Sequence, residues 1–264
     1  MSLRLKKFDM KRLKYDSVVV LLGKRNTGKS FLTKDILYHN RDIPLGTIIS
    51  PTENANQFFT PLVPKFFIHD EFTPALLERV VDRQKKAVEE WQKDKSVDPR
   101  GFLVFDDCMY DSSWNKDKNV KLIFTNGRHY KMLFLITMQF PLGIPPILRS
   151  NVDFVFILRE NFISNRKRIY EHWAGMFGDF KTFCNVMDQC TENFECLVID
   201  NTCKSNKLED VVFWYKASSH ETFTLGSPIF WQMANKYPQQ KKKEETSFSK
   251  KENNKSGIKV QKLI

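Results

Sequence analysis

Residues 17–30 read SVVVLLGKRNTGKS. After Ser17 the first part is a compact, apolar, largely β-branched run, the pattern of a strand buried on both faces of a parallel sheet. The eight residues that follow, Gly23, Lys24, Arg25, Asn26, Thr27, Gly28, Lys29 and Ser30, fit G-x-x-x-x-G-K-[ST] in full. The glycines let the backbone wrap so that its N–H groups point inward around phosphates. The helix that starts there aims its positive end at the same point. The Lys29 ammonium can then reach β- and γ-phosphates, and the Ser30 hydroxyl can ligate Mg²⁺. All eight residues are assigned to the nucleotide, with ATP and Mg²⁺ as the expected cofactors.

Outward from this loop, Phe31–His39 has a helical pattern. Thr47–Ser50 reads as a strand stopped by Pro51, and Phe66–Ile68 as another. Pro74 opens a helix to about Lys93, in which Leu76, Leu77, Val80, Val81, Val88 and Trp91 recur at helical spacing. Phe102–Phe105 is a strand ending in Asp106 and Asp107. Asn119–Asn126 is a helix, Met132–Met138 a strand ending in Gln139, Pro145–Arg149 a helical turn, and Phe154–Leu158 a further strand. Helical patterns fill 162–189. Glu195–Asp200 and Val211–Tyr215 are paired as an antiparallel extension. Strands alternating with helices imply an α/β fold: a mainly parallel sheet with helices on both faces and ligands beyond the carboxyl ends of the strands.

The residues at those ends carry the chemistry. A carboxylate ending an apolar strand downstream of a P-loop can hold the Mg²⁺, usually through water, as the acidic residue of a Walker B strand does. Its neighbour points to the other side of the strand end and can deprotonate an attacking water. Asp106 is assigned to the metal and Asp107 to the base; the bland alternative is an Asp-rich turn. Gln139 ends the next strand. In P-loop ATPases with an additional strand inserted between the Walker A and Walker B strands, a polar residue at this tip sits near the γ-phosphate, where an amide can bond both phosphate and water. Arg128 and Arg149 are candidate arginine fingers, since guanidinium offers a planar fork of donors that never deprotonates. Each could equally be a structural ion-pair residue. Lys24 and Arg25 are further cationic candidates. Phe58, Phe59 and Trp114 are weighed as a stacking platform for single-stranded nucleic acid, against a place in the core.

Composition bounds the rest. In 264 residues, 41% are hydrophobic and 28% charged, which describes a globular chain, and no apolar run approaches the ~18 residues that span a bilayer. No signal peptide is read, because Tyr15 and Asp16 precede any apolar run. The odd number of cysteines, 5, argues against a disulfide scaffold. The net charge of +11 gathers at the two ends, and the body between them is close to neutral. The expected organisation is a basic N-terminal arm over 1–14, a P-loop ATPase domain over 15–237, and a basic, disordered tail over 238–264. Basic ends suggest a polyanionic partner, nucleic acid before membrane.

GKRNTGKS, FLVFDDCM, TNGRHYKMLFLITMQFPLGIPP and LRSNVDFVFIL, in this order, resemble the poxvirus-type DNA packaging ATPases of nucleocytoplasmic large DNA viruses, members of the FtsK/HerA superfamily. The resemblance covers about residues 15–215. It implies a ring-forming homo-oligomeric motor that hydrolyses ATP to move double-stranded viral DNA into a preformed capsid, with a capsid or vertex protein as partner. The implied location is the cytoplasm or viral factory of the infected cell, with retention in the virion as the alternative. Relatives of this type carry a trans-acting arginine before the Gln-tipped strand, which Arg128 matches better than Arg149. FtsK-type relatives end the Walker B strand in Asp-Glu, whereas this chain has Asp106-Asp107. Two other functions compete: a HerA-like helicase or translocase of replication or recombination, and an ATP-binding switch or scaffold.

Overall fold

The structure is a computed structural model and describes residues 3–108 and 113–236. Its strands are β1 (Lys6–Lys7), β2 (Val18–Leu22), β3 (Leu45–Ile49), β4 (Ile68–His69), β5 (Gly101–Phe105), β6 (Met132–Met138), β7 (Phe154–Ile157), β8 (Glu195–Asp200) and β9 (Val212–Lys216). The helices are α1 (Lys29–His39), α2 (Glu53–Asn56), α3 (Pro74–Lys93), α4 (Lys118–Asn126), α5 (Pro146–Arg149), α6 (Ile163–Trp173), α7 (Phe180–Cys190), α8 (Leu208–Val211) and α9 (Pro228–Lys236). The strands form one sheet of order β1-β9-β8-β7-β2-β6-β5-β3-β4. All neighbours pair in parallel except that β8 runs antiparallel to both β7 and β9.

The order decides the fold type. β6 lies between β2, which leads into the P-loop, and β5, which leads into Asp106. This is the additional strand expected between the Walker A and Walker B strands. β2 is fully buried, and its side chains alternate between the two layers. Val18, Val20 and Leu22 join the core under α3, α4, α6 and α7. Val19 and Leu21 join the core under α1. Helices therefore cover both faces, as a parallel sheet with an all-apolar central strand requires.

The local signals explain the helix positions. Thr73 Oγ1 accepts from Leu76 N at 3.2 Å and caps α3, and Pro74 takes its first turn. Asp117 caps α4 by accepting from Asn119 N at 2.7 Å and Val120 N at 3.2 Å. α1 has no side-chain cap, and Gly28 precedes it at φ +99°. Its first-turn N–H groups thus stay available to an anion.

Three readings change. Phe66–Ile68 is not a strand: Lys65–Phe67 forms a 3-10 turn after Pro64, and only Ile68 and His69 pair with β3. Phe59 and Trp114 are core residues with 1% exposure each, which rules them out as a stacking platform, and Phe58 packs against that core. The segment set apart as a basic arm is seated on the sheet. Lys6 and Lys7 pair in parallel with Phe213 and Trp214, while Phe8, Met10 and Leu13 are buried. Phe8 meets the rings of Phe154, Phe156, Phe213 and Tyr215 edge-on. Interleaved apolar residues anchor the segment, and lysines on the edge strand oppose pairing with another chain. The tail over 238–264 lies outside the described residues.

Candidate nucleotide-binding active site

The loop after β2 is held by its own atoms. Gly23 N donates to Met138 O at 3.0 Å, which ties the loop to the tip of β6. A Cβ on Gly23 would lie 2.6 Å from Thr27 Oγ1 and 2.9 Å from Leu158 Cβ, so only glycine fits. Thr27 Oγ1 donates to Lys24 O at 2.8 Å and closes the turn. Lys29 Nζ donates to Gly23 O at 2.6 Å and Lys24 O at 2.7 Å. The ammonium therefore rests on the loop carbonyls, in the mouth that phosphates would enter. Burial lowers its pKa, and the nearby Asp107 and Asp106 act the other way. Lys24 is committed elsewhere: its Nζ pairs with buried Glu160 at 2.6 Å and lies 3.5 Å from the Phe162 ring centroid.

Opposite the loop, the tips of β3, β5 and β6 build an acidic pair. Asp106 accepts from Thr137 Oγ1 at 2.9 Å and from Ser50 Oγ at 3.1 Å. Burial raises its pKa against the pull of these two bonds. Thr137 Oγ1 also accepts from Asp107 N at 2.9 Å, so one hydroxyl ties the Asp106 carboxylate to the backbone of Asp107. Asp107 adopts φ +53°, a left-handed conformation. Gln139 Nε2 donates to both carboxylate oxygens of Asp107 at 2.7 Å each. Lys29, Ser30, Asp106, Asp107, Gln139 and Phe58 line one cavity. The sequence reading placed five of these there. Within it, Ser30 and Asp106 offer a hydroxyl and a carboxylate, hard oxygen donors that suit Mg²⁺.

The two arginines lie outside that cavity. Arg128 Nη2 pairs with Asp153 Oδ1, and Asp153 Oδ2 accepts from Val18 N at 2.8 Å. That junction is at the amino ends of β2, β6 and β7. The 7 residues of β6 separate it from Gln139, about 20 Å at strand rise. The Arg128 side chain is nonetheless 65% exposed. Arg149 ends α5, 5.8 Å from the Trp173 ring centroid, and burial lowers its pKa. Neither reaches the P-loop of its own chain.

Sequence reasoning missed Ser50, Thr137, Glu160 and Phe194. The first two were detectable in principle as hydroxyls in or at the end of apolar strands. Glu160 and Phe194 had no such signal. Phe194, at φ +63° and 68% exposed, overhangs Gly28 from the turn before β8.

No protein-family model matches the chain. Uncharacterized protein L437 of Acanthamoeba polyphaga mimivirus is 38% identical over 238 residues, 88% of this chain and 84% of that protein. Uncharacterized protein 015R of Frog virus 3 is 37% identical over 219 residues, 82% of this chain and 67% of that protein. The chain belongs to the family of these large-DNA-virus proteins. The genome packaging NTPase B204 of Sulfolobus turreted icosahedral virus 2, in complex with AMP, has the same fold. Its TM-score is 0.53 at 14% identity, over 78% of this chain and 100% of B204. This chain thus has the fold of a P-loop NTPase. Among the described residues, no helix is long and apolar enough to cross a membrane.

Proposed function

We propose that this protein is an ATP-hydrolysing motor that translocates double-stranded viral DNA into a preformed capsid. The observation that carries the reading is Gln139 on the inserted strand, bonded through its amide to both oxygens of Asp107 beside Lys29. A binding-only switch needs the loop and a metal carboxylate. It does not need a second carboxylate held in place by an amide.

In this reading the incoming phosphates take over Lys29 from the Gly23 and Lys24 carbonyls. Asp107 accepts the proton of the water that attacks the γ-phosphorus, and the bond from that phosphorus to the ADP oxygen breaks. Gln139 responds to loss of phosphate and passes the change into β6. Mg²⁺, held by Ser30 and Asp106, would neutralise charge on the β- and γ-oxygens. Arg128 acts in trans, its exposed guanidinium reaching a neighbour's γ-phosphate, with Arg149 as the second candidate. Phe140, Phe162 and Ile163, 44%, 62% and 60% exposed, supply apolar surface for subunit contacts in a ring. The virus-borne relatives and the packaging NTPase B204 support the packaging role. The basic ends would hold DNA through its phosphates without reading sequence, as a genome-length substrate demands.

The test is ATPase rate with and without duplex DNA, combined with particle size in the presence of a non-hydrolysable ATP analogue. DNA stimulation and a ring-sized particle are expected. A monomer that binds ATP without turnover would replace the motor by a switch. Association with procapsids, rather than with recombination intermediates, separates the packaging motor from a HerA-like translocase.

A further inference from the structure

Away from the cavity, α1 carries a buried carboxylate that the hydrolysis reading does not use. Asp35 is fully buried on the helix face that packs on the sheet. Its ion pairs among the described residues are to His39 and His220, with no Lys or Arg partner. A buried charge without a permanent counter-ion is costly unless strong partners or a metal compensate it.

The partners form a defined arrangement. His39, four residues along α1, brings Nε2 to 3.6 Å from Asp35 Oδ1. His220, in the segment after β9, contacts the same oxygen with its own Nε2. The two imidazoles meet at 90°, with ring centroids 5.7 Å apart. Tyr38 stacks on His220 at 3.6 Å and meets His39 edge-on, so one ring orients both histidines. The other carboxylate oxygen accepts from Tyr215 Oη at 2.6 Å and from Ser218 N at 3.4 Å. Thus one oxygen is fixed by the fold, and the other faces two imidazole nitrogens. The three donor atoms lie within 4.8 Å of one another. Zinc bonds of about 2.0–2.1 Å place tetrahedral ligands about 3.3 Å apart, so small rotations would bring these atoms to bonding distance. His39 is 38% exposed and leaves a side open to water.

We infer that Asp35, His39 and His220 form a binding site for a divalent first-row transition metal, with Tyr215 as the outer partner of the carboxylate. Two imidazoles and one carboxylate are borderline ligands suited to zinc, cobalt or iron rather than to Mg²⁺. A hydroxyl on the second oxygen is the kind of outer contact that orients a metal-binding carboxylate. The metal would clamp residues 217–225 across α1. That segment already crosses the helix, with Phe223 buried against Tyr38 and Leu225 N bonded to Leu62 O at 2.7 Å. The helix that begins at the P-loop and the strap after β9 would share one joint.

The probe is Zn²⁺ alone, titrated into the full chain after chelation. One equivalent should bind and raise the unfolding temperature. His39→Gln, at a half-open position that need not disturb folding, should lose that equivalent. Its metal-free unfolding temperature should match that of the metal-free parent. Tyr215→Phe should weaken binding by about 10–100-fold. Co²⁺ should bind without thiolate charge-transfer absorption, which separates this site from the five cysteines. A chain that binds no equivalent, a His39→Gln variant that binds zinc as tightly as the parent, or a cobalt spectrum with thiolate bands overturns the inference.

Discussion

The two ends of the parallel strands use the same residue types in opposite ways. At the amino ends, carboxylates are closed off in pairs. Asp153 takes Arg128 on one oxygen and Val18 N on the other. Asp200, which ends the antiparallel β8 at the same edge of the sheet, takes Arg12 at 2.9 Å, with Thr202 N and Thr202 Oγ1 on its other oxygen. At the carboxyl ends, the Asp106 and Asp107 carboxylates are held by neutral donors: two hydroxyls and an amide. The cation nearest to them, Lys29, is bonded to carbonyls instead. Opposite charges kept apart across a cavity leave room for phosphates and metal. Opposite charges joined are fasteners. The comparison separates residues that wait for a ligand from residues that hold loops, even where all are partly buried and charged.

Arg128 is the residue that could belong to both classes, and it gives the largest expected effect. As a finger in trans it should supply about 10³–10⁵ in rate. Arg128→Ala and Lys29→Ala should each be inactive, and a mixture should regain activity where an intact P-loop meets an intact finger. ATPase assays on mixtures with verified subunit exchange check this. A mixture that stays inactive would leave Arg128 as a fastener only and pass the role to Arg149.

Next in size is the division of labour within the cavity. Asp107→Asn should keep nucleotide affinity while turnover falls by about 10²–10⁴, because Lys29 and Asp106 remain and the base is gone. Lys29→Ala should lose nucleotide affinity itself. Binding titrations beside kcat for the two variants separate these outcomes. Equal loss of affinity in both would contradict the assigned roles.

What the sequence disclosed follows the same geometry. β2, β5, β6 and β7 were legible because each is an apolar run buried on both faces, and Gly23 to Ser30 because the loop's chemistry is local. The order β2-β6-β5 was reached from the succession of a P-loop strand, an acidic strand and a polar-tipped strand, the pattern of P-loop ATPases with an inserted strand. The Asp107–Gln139 bond was not legible. It depends on the left-handed turn at Asp107, which no neighbouring residue type forces. Nor was the seating of residues 6–13, because six basic residues among the first 14 mask the three apolar positions that anchor them. The fastening of Arg128 by Asp153 joins residues 25 apart in sequence through a third element, beyond the reach of any local pattern.

A fastener should cost stability rather than chemistry. Asp153→Ala removes the acceptor of Val18 N, a buried donor at the start of the central strand. A loss of about 1–3 kcal/mol is expected from that group. Asp153→Asn keeps an acceptor oxygen and should recover most of it. Denaturant unfolding of the two variants measures the difference. Similar losses in both would mean that the Arg128 pairing, and not the Val18 N–H, carries the stability.

The smallest effect is a shift in pH dependence, and it tests whether the carboxyl-end hydroxyls tune Asp106. Burial raises the pKa of Asp106, while the bonds from Thr137 and Ser50 favour its charged form and hold the rise in check. Because the folded-state value lies above the ordinary one, the folded chain keeps this proton more readily than the unfolded chain. The contribution of this group to stability is therefore fully present at lower pH and is lost as pH rises through the raised value. In the proposed motor Asp106 holds the metal as a carboxylate, so activity should have the opposite sign and fall as pH drops through that value. Ser50→Ala and Thr137→Val each delete one bond to the charged form. Both should move the acid limb of kcat/KM to higher pH, and the double variant should move it further. Thr137→Val should also lower kcat, since its hydroxyl holds the Asp107 N–H as well. Asp153→Asn deletes a charge at the other end of the same strands and should leave the acid limb where it was. If Asp153→Asn moved the limb as much as Ser50→Ala, net charge rather than the local hydrogen bonds would set the profile, and the distinction between the two ends would not extend to titration.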